Sequence, residues 1–301
     1  MMIAENLLYL LSKNWPAPRR PLQADNELSG EAYHLAYAMK MQYLPCLQNG
    51  IKYDIQGKEI LEIGCGHGGI SCFLALNGAK RVVGVDLNSY NLSIAEKFHK
   101  QLIKKALGSA DARLNVEFLE QNASELEFPN NSFDLVWAEN VFEHFMEPEA
   151  VMQEAYRVLR PGGKLIVPVF SSIYSKYGAH VKQGLKVPWS NLFFSEKTIC
   201  NTLSRMAKTN PGILEMYPGL ANNPDKIRDL RRYKDLNEIT FGKFKRMALA
   251  CGFQIESFSS RSPSGIIRIC NRIIQRIPLI RASILHDIFS TGAAAVLRKR
   301  A

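Results

Sequence analysis

Closely spaced cysteine pairs are missing from this chain. Its six cysteines, Cys46, Cys65, Cys72, Cys200, Cys251 and Cys270, include no C-x-x-C pair. That argues against a zinc ribbon or a dithiol redox motif, and no metal site is expected. It suits a reduced, cytoplasmic protein. Long apolar runs are also missing: no stretch approaches the roughly 18 residues that a membrane-spanning helix needs. The apolar residues 7–11 are too few for a signal-peptide core, so no secretory leader is expected. There is no internal repeat and no low-complexity tract. What remains is a chain of 301 residues, 47% hydrophobic and 22% charged. That is enough for one large domain, or a core with an elaboration, that buries its interior without disulfides. The formal net charge of +10 is uneven: residues 261–301 hold eight Lys or Arg against one acid, Asp287.

Residues 1–57 read as helical with proline breaks at Pro16, Pro18 and Pro21. Over residues 30–48, Tyr33, Ala36, Tyr37, Met41 and Leu44 recur at helical spacing. This stripe is either packing or part of a lid. From Lys58 the pattern becomes strand, helix, strand. Strands are expected at 59–63, 81–86, 114–119, 133–138 and 164–170, and helices at 69–77, 88–107 and 148–159. Such alternation indicates a parallel sheet covered on both faces. Residues 171–239 break the rhythm and read as an insertion with one helix at 195–206. A helix at 240–250 and a strand at 253–258 follow.

The chemistry starts in the loop after the first strand. Gly64, Gly66 and Gly68 let the backbone turn tightly and approach a ligand, and the next helix points its N-terminal amides at the same space. Gly64, Gly66 and Gly69 also satisfy G-x-G-x-x-G, so the loop alone fits a dinucleotide as well. Glu62 shifts the balance, because a carboxylate two residues before the first glycine would repel a pyrophosphate and attract an ammonium. Asp86 ends the second strand, where an acid can accept both hydroxyls of a ribose.

These residues resemble the class I S-adenosylmethionine-dependent methyltransferase family over residues 58–170 and 240–258. The resemblance rests on the E-x-G-x-G-x-G loop from Glu62 to Gly68, on Asp86, and on the segment from Phe133 through Glu139 to His144. It also rests on Val158-Leu159-Arg160-Pro161-Gly162-Gly163, read as the end of a helix and a chain reversal. It implies an α/β, Rossmann-like, seven-stranded, mostly parallel sheet with helices on both faces. Around it stand a helical N-terminal segment or lid (1–57), a substrate-binding cap (171–239) and a basic helical tail (261–301), with 58–170 and 240–260 forming the core. It implies S-adenosylmethionine as cofactor, with S-adenosylhomocysteine as product. The expected contacts are Glu62, Gly64, Cys65, Gly66, Gly68, Asp86, Leu87, Asn122, Ala123 and Glu139. Asn122 departs from the family, which usually has an acid there, but its side-chain oxygen can still accept a hydrogen bond from adenine.

The acceptor is less legible. A hydroxyl acceptor needs a base poised near neutrality, and histidine suits that. His180 in the insertion and His144 after the fourth strand are the candidates, with Glu143 a weaker one. The cap offers Phe170, Tyr174, Tyr177, Trp189, Phe193, Phe194 and Tyr217 to shape an apolar pocket or to form its own core. In the tail, Arg268, Arg272 and Arg276 repeat at helical spacing beside an isoleucine-rich face, stopped by Pro278. That ridge is either solvated or faces an anionic membrane surface or an acidic carrier protein; nucleic acid is not favoured. The expected activity is methyl transfer to a small-molecule, glycan or lipid-linked acceptor, with oxygen favoured. A nucleotide (NAD(P))-dependent oxidoreductase and a non-catalytic S-adenosylmethionine-binding module remain as alternatives.

Overall fold

A computed structural model describes residues 2–14, 53–106, 114–178, 180, 185–210, 236–261 and 284–301. Seven strands form one sheet in the order β3-β2-β1-β4-β5-β7-β6. They are β1 (Glu59–Ile63), β2 (Arg81–Asp86), β3 (Val116–Glu120), β4 (Phe133–Trp137), β5 (Leu159–Phe170), β6 (Gln254–Arg261) and β7 (Gly292–Arg298). The first five are parallel, and β7 runs antiparallel to both β5 and β6.

Alternating side chains place the core on both faces, as strand geometry requires. Leu61, Ile63, Val83, Val85 and Val136 enter one apolar cluster, while Ile60, Val82, Leu135 and Trp137 enter another. Helices α4 (Pro148–Val158) and α7 (Phe241–Ala250) cover the first face with Val151, Met152, Phe244 and Ala248. Helix α2 (Gly69–Leu76) covers the second through Leu74 and Ile70, and Cys72 joins it to Phe98 of α3 (Ser89–Ala106). Strand order reverses at β1, which pairs with β2 on one side and β4 on the other. In such sheets the crevice at the carboxyl ends beside the reversal is where ligands bind.

A third cluster stands apart from the sheet. Leu8 of α1 (Met2–Asn14) packs with Leu185, Val187, Ile199 and Leu203. The last two lie on α6 (Glu196–Ala207), which follows the single turn α5 (Ser190–Phe193) and whose first turn is capped by Ser195 Oγ accepting from Thr198 N at 3.3 Å. Glu5 accepts from Asn201 at 2.7 Å and Arg205 lies 3.8 Å over the Tyr9 ring. The N-terminal helix therefore belongs to the same body as the insertion. The helical stripe expected over 30–48 lies outside the described residues.

Two expectations are corrected. The described residues of 261–301 are not a helical appendage: Arg261 ends β6, α8 (Ile284–Ile288) is a single short helix, and Gly292–Arg298 is an interior strand. The stretch Gly-Ala-Ala-Ala-Val-Leu has strong helix formers, but its small uncharged side chains can be buried on both faces. Ala293, Ala294, Ala295 and Leu297 are fully buried there. The arginine ridge Arg268, Arg272 and Arg276 lies outside the described residues. Secondly, Pro161-Gly162-Gly163 does not precede the fifth strand but lies within it. Helix α4 ends at Val158, and β4 pairs Phe133 with Leu159 and then Leu135 with Lys164, so β5 bulges over the intervening residues. Gly162 takes φ of 77° to allow the detour, and its N–H donates to Lys299 O at 3.1 Å.

Candidate functional site

The glycine loop begins where β1 stops. Gly64 N and Cys65 N donate to Val85 O at 2.8 and 3.0 Å, which ties the loop to the end of β2. Gly64 has φ of 69°, and a Cβ there would run into the Val141 side chain, so only glycine fits. A Cβ at Gly66 would meet nothing, so the loop leaves open space on its outer side. Asp86 fixes the loop from the next strand: its Oδ2 accepts from Gly66 N at 2.9 Å and its Oδ1 from Asn88 N at 2.8 Å. Each carboxylate oxygen keeps a further lone pair for a ligand hydroxyl.

A cavity of about 610 Å³ opens at this point, within the range of small-molecule sites. Gly64, Asp86, Leu87, Asn122 and Ala123 line it, as expected, and so does His144. Met146 and Leu87 form an exposed apolar rim. Asn122 already uses its Oδ1 to accept from Ser124 N at 3.1 Å, leaving one acceptor direction for a base. Glu62, Cys65, Gly66, Gly68, Glu139 and His180 are not in this lining. A second cavity, of about 560 Å³, lies at the opposite edge of the sheet. Arg160 in its lining is satisfied by Glu59 and Asp134 at 2.7 and 2.9 Å, and none of the expected site residues lies there.

Glu62 sits beneath the loop rather than at its surface. It is 2% exposed and accepts a hydrogen bond from the Ser71 hydroxyl of α2. Burial pushes its carboxyl well above the usual range, the Ser71 hydroxyl opposes this, and the negative charges of Glu139 and Asp86 add to it. Three carboxylates thus crowd one loop. Such a loop disfavours a pyrophosphate, and a cationic ligand would favour the ionised form of Glu62. Burial also pushes the Cys65 thiol far up, which disfavours its thiolate.

On the other side of the cavity the 3-10 turn Phe142–His144 follows β4. Asn237, from the end of the insertion, holds it: Nδ2 donates to Phe142 O at 2.6 Å and to Phe145 O at 2.7 Å. The turn buries Glu143 at 2% exposure. Its Oε1 accepts from Ser171 N at 3.2 Å and lies 3.6 Å from His180 Nε2. Its Oε2 is buried with no partner among the described residues. The His144 and His180 rings stand 4.9 Å apart, tilted by 59°. Burial pushes Glu143 up to about 7. The structure brings both histidine candidates together and adds the acid between them. Glu143, His144 and His180 each place one ligand atom within 4.8 Å of the others, a geometry open to a shared proton or a divalent ion. The sequence signal for Glu143 was an acid inside the apolar run Val141, Phe142 and Phe145. Asn237 carried no signal at all.

The other histidines and aromatics fall elsewhere. His286 is buried against Ser260 Oγ at 2.7 Å, and the His99 ring contacts Phe118 from α3; His34 lies outside the described residues. Of the cap aromatics, Phe170 belongs to the sheet core with Phe241 and Phe244, a correction explained by its place at the last residue of β5. Trp189 Nε1 donates to Ile288 O at 2.9 Å, Phe193 is exposed, and Phe194 packs on the cap cluster. Tyr217 lies outside the described residues.

Comparison with known proteins agrees with this geometry. Residues 61–167 match a family described as a methyltransferase domain. The sterol 24-C-methyltransferase of Pneumocystis carinii (strain B80) is 31% identical over 133 residues, 44% of this chain and 32% of that one. The fatty-acid O-methyltransferase of Mycolicibacterium smegmatis is 31% identical over 146 residues, 48% of this chain and 44% of that one. The chain thus spans less than half the length of these curated relatives. The S-adenosylmethionine-dependent methyltransferase from Mesorhizobium loti shares the fold, with a TM-score of 0.50 at 15% identity over 87% of this chain and 98% of that one. Residues 61–167 are therefore similar to a methyltransferase domain, on the fold of an S-adenosylmethionine-dependent methyltransferase, and S-adenosylmethionine is the cofactor that this likeness implies.

Proposed function

We propose that the chain is an enzyme that methylates an oxygen of a small-molecule, glycan or lipid-linked acceptor, with His180 as the base and His144 as its alternate. The observation that carries this reading is the pair of imidazoles at the carboxyl edge of the sheet, one of them lining the cofactor cavity. S-adenosylmethionine supplies a methyl group on a positively charged sulfur, a carbon already primed for displacement. The chain's own residues then have three tasks. Asp86 and the loop amides hold the nucleoside. Glu62 ionises as the ammonium of the amino acid part arrives, with Glu139 close enough to share that charge. The histidine pair takes the acceptor's proton as the new O–C bond forms and the C–S bond breaks, its electron pair staying on sulfur. The O-methyltransferase among the relatives supports an oxygen acceptor.

The test is methyl transfer from radiolabelled S-adenosylmethionine to a panel of hydroxyl- and carboxyl-bearing lipids, glycans and small metabolites. Label on oxygen is expected, with a loss of roughly 100-fold or more in His180→Ala, the usual worth of a general base, at unchanged S-adenosylhomocysteine affinity. Label only on nitrogen or carbon overturns the oxygen assignment, and full activity in His180→Ala removes that residue as the base.

A further inference from the structure

We propose that Glu143 is a positioning residue: its buried carboxylate accepts the Nε2 proton of His180, which sets that ring's tautomer and leaves Nδ1 to take the proton of the acceptor. This rests on the oxygen-methylation reading above and deepens it.

Four observations converge. Glu143 is 2% exposed on a turn whose neighbours Phe142 and Phe145 are apolar. A buried carboxylate is costly unless something compensates it. One oxygen, Oε1, has a backbone amide from Ser171 and faces His180 Nε2 at 3.6 Å. That spacing is one that catalytic contacts commonly show before substrate arrives. The other oxygen, Oε2, has no partner among the described residues, so the compensation from hydrogen bonds is incomplete. The backbone of His180 is itself unusual. It adopts φ of 53°, a left-handed conformation unusual for a side chain with Cβ, and its N–H donates to Tyr177 O at 2.9 Å. Such a backbone state persists only where the surroundings over-determine it, and functional sites are where it concentrates.

The chemistry balances. Neutral His180 keeps one proton on Nε2, shared with the carboxylate. When the acceptor oxygen attacks, its proton passes to Nδ1 and the ring becomes an imidazolium paired with Glu143. The proton leaves to water once the product has gone. The titratable groups facing the carboxylate are His180, from the segment after β5, and His144, from its own turn. Without the carboxylate the imidazolium would form unpaired, and the base would be weaker.

Long-range proton–nitrogen correlation spectra of the full chain at pH 8, free and saturated with S-adenosylhomocysteine, test this without an acceptor. The expected result is His180 protonated on Nε2 in the native protein. In Glu143→Gln, the apparent pKa of His180 should fall by about one unit or more, a tenfold or greater loss of basicity, with S-adenosylhomocysteine affinity within threefold. A native His180 protonated on Nδ1 overturns the proposal, and this measurement needs no variant to fold. An unchanged pKa and tautomer in Glu143→Gln overturns it as well. So does one equivalent of Zn²⁺ bound at micromolar or tighter affinity and lost in His180→Ala, which would make the three groups metal ligands. If S-adenosylhomocysteine fails to bind, the methyltransferase reading falls, while the spectra of the free protein still decide the Glu143–His180 contact.

Discussion

The two sides of the cavity are built by different rules. The cofactor side is local: Glu62, Gly64, Gly66 and Asp86 come from β1, the loop after it and the end of β2, joined by bonds such as Gly66 N to Asp86, 20 residues apart. The acceptor side is assembled from distant segments. Asn237 reaches back 95 residues to Phe142, Trp189 reaches 99 residues to Ile288, and Ser172 Oγ donates to Asp287 across 115 residues at 2.6 Å. Asp287 also accepts from Phe241 N at 3.0 Å, and burial pushes its carboxyl up. A local site can be inherited as a motif, whereas a site of this second kind exists only when the whole chain has folded.

The most severe way to break that contrast is to remove residues 262–301. Because this deletes β7 from between β5 and β6, together with the Asp287 clasp, cooperative thermal unfolding by circular dichroism should disappear. A truncated chain that melts cooperatively near the native midpoint would return the segment to the status of an appendage.

Replacing Asp86 by Ala attacks the local side. It removes the anchor of Gly66 and the acceptor for a ribose, so S-adenosylhomocysteine binding should weaken by about 1–3 kcal/mol, while the histidine cluster is untouched. Calorimetry showing unchanged affinity would remove Asp86 from the nucleoside site.

Replacing Asn237 by Ala is the mirror experiment. The turn bearing Glu143 and His144 loses two side-chain bonds, and Ile239 N loses its acceptor at 2.9 Å. Denaturant unfolding should show a loss of about 1–2 kcal/mol, with S-adenosylhomocysteine affinity held within threefold. A larger fall in affinity than in stability would mean that the two sides are coupled more tightly than their construction suggests.

The smallest effect concerns neither side and serves as a baseline. Glu59, at the opposite edge of the sheet, is held down to about 2, chiefly by hydrogen bonds from Lys80 and then Arg160. A lowered folded value means that its contribution is present above the unfolded value near 4.5 and is lost as pH falls toward 2. The partners are substantially exposed, so Glu59→Gln should flatten the acid limb of the stability curve by less than about 1 kcal/mol. The loss should be full at pH 8 and vanish as pH falls toward 2; an equal loss at both would show that the effect is not one of titration.

The same contrast explains what could be read from the sequence. Strands β1, β2 and β4 were legible because each is a short apolar run stopped by a glycine, an acid or a polar segment. The loop and Asp86 were legible because their spacing lies within one βαβ unit. Strand β7 was hidden by its alanines, which favour helix when nothing else is known, and by the arginines around it, which drew the eye to charge. His144 and His180 were each visible as histidines near strand ends, but their approach to each other depends on where the insertion returns. Glu62 was expected at the ligand surface and lies beneath it, because the Ser71 hydroxyl on α2 offers a bond that the sequence does not advertise. Asn237 was invisible, since an asparagine in an irregular stretch declares nothing until its carbonyl partners are known.

The central claim is that the carboxylate-rich loop at the end of β1 takes a cationic nucleoside cofactor and not a dinucleotide. Titration calorimetry of the full chain with S-adenosylhomocysteine and, separately, with NAD⁺ tests it most directly. The account predicts one saturable site for S-adenosylhomocysteine and no saturable heat with NAD⁺. Saturable NAD⁺ binding with no response to S-adenosylhomocysteine would contradict it.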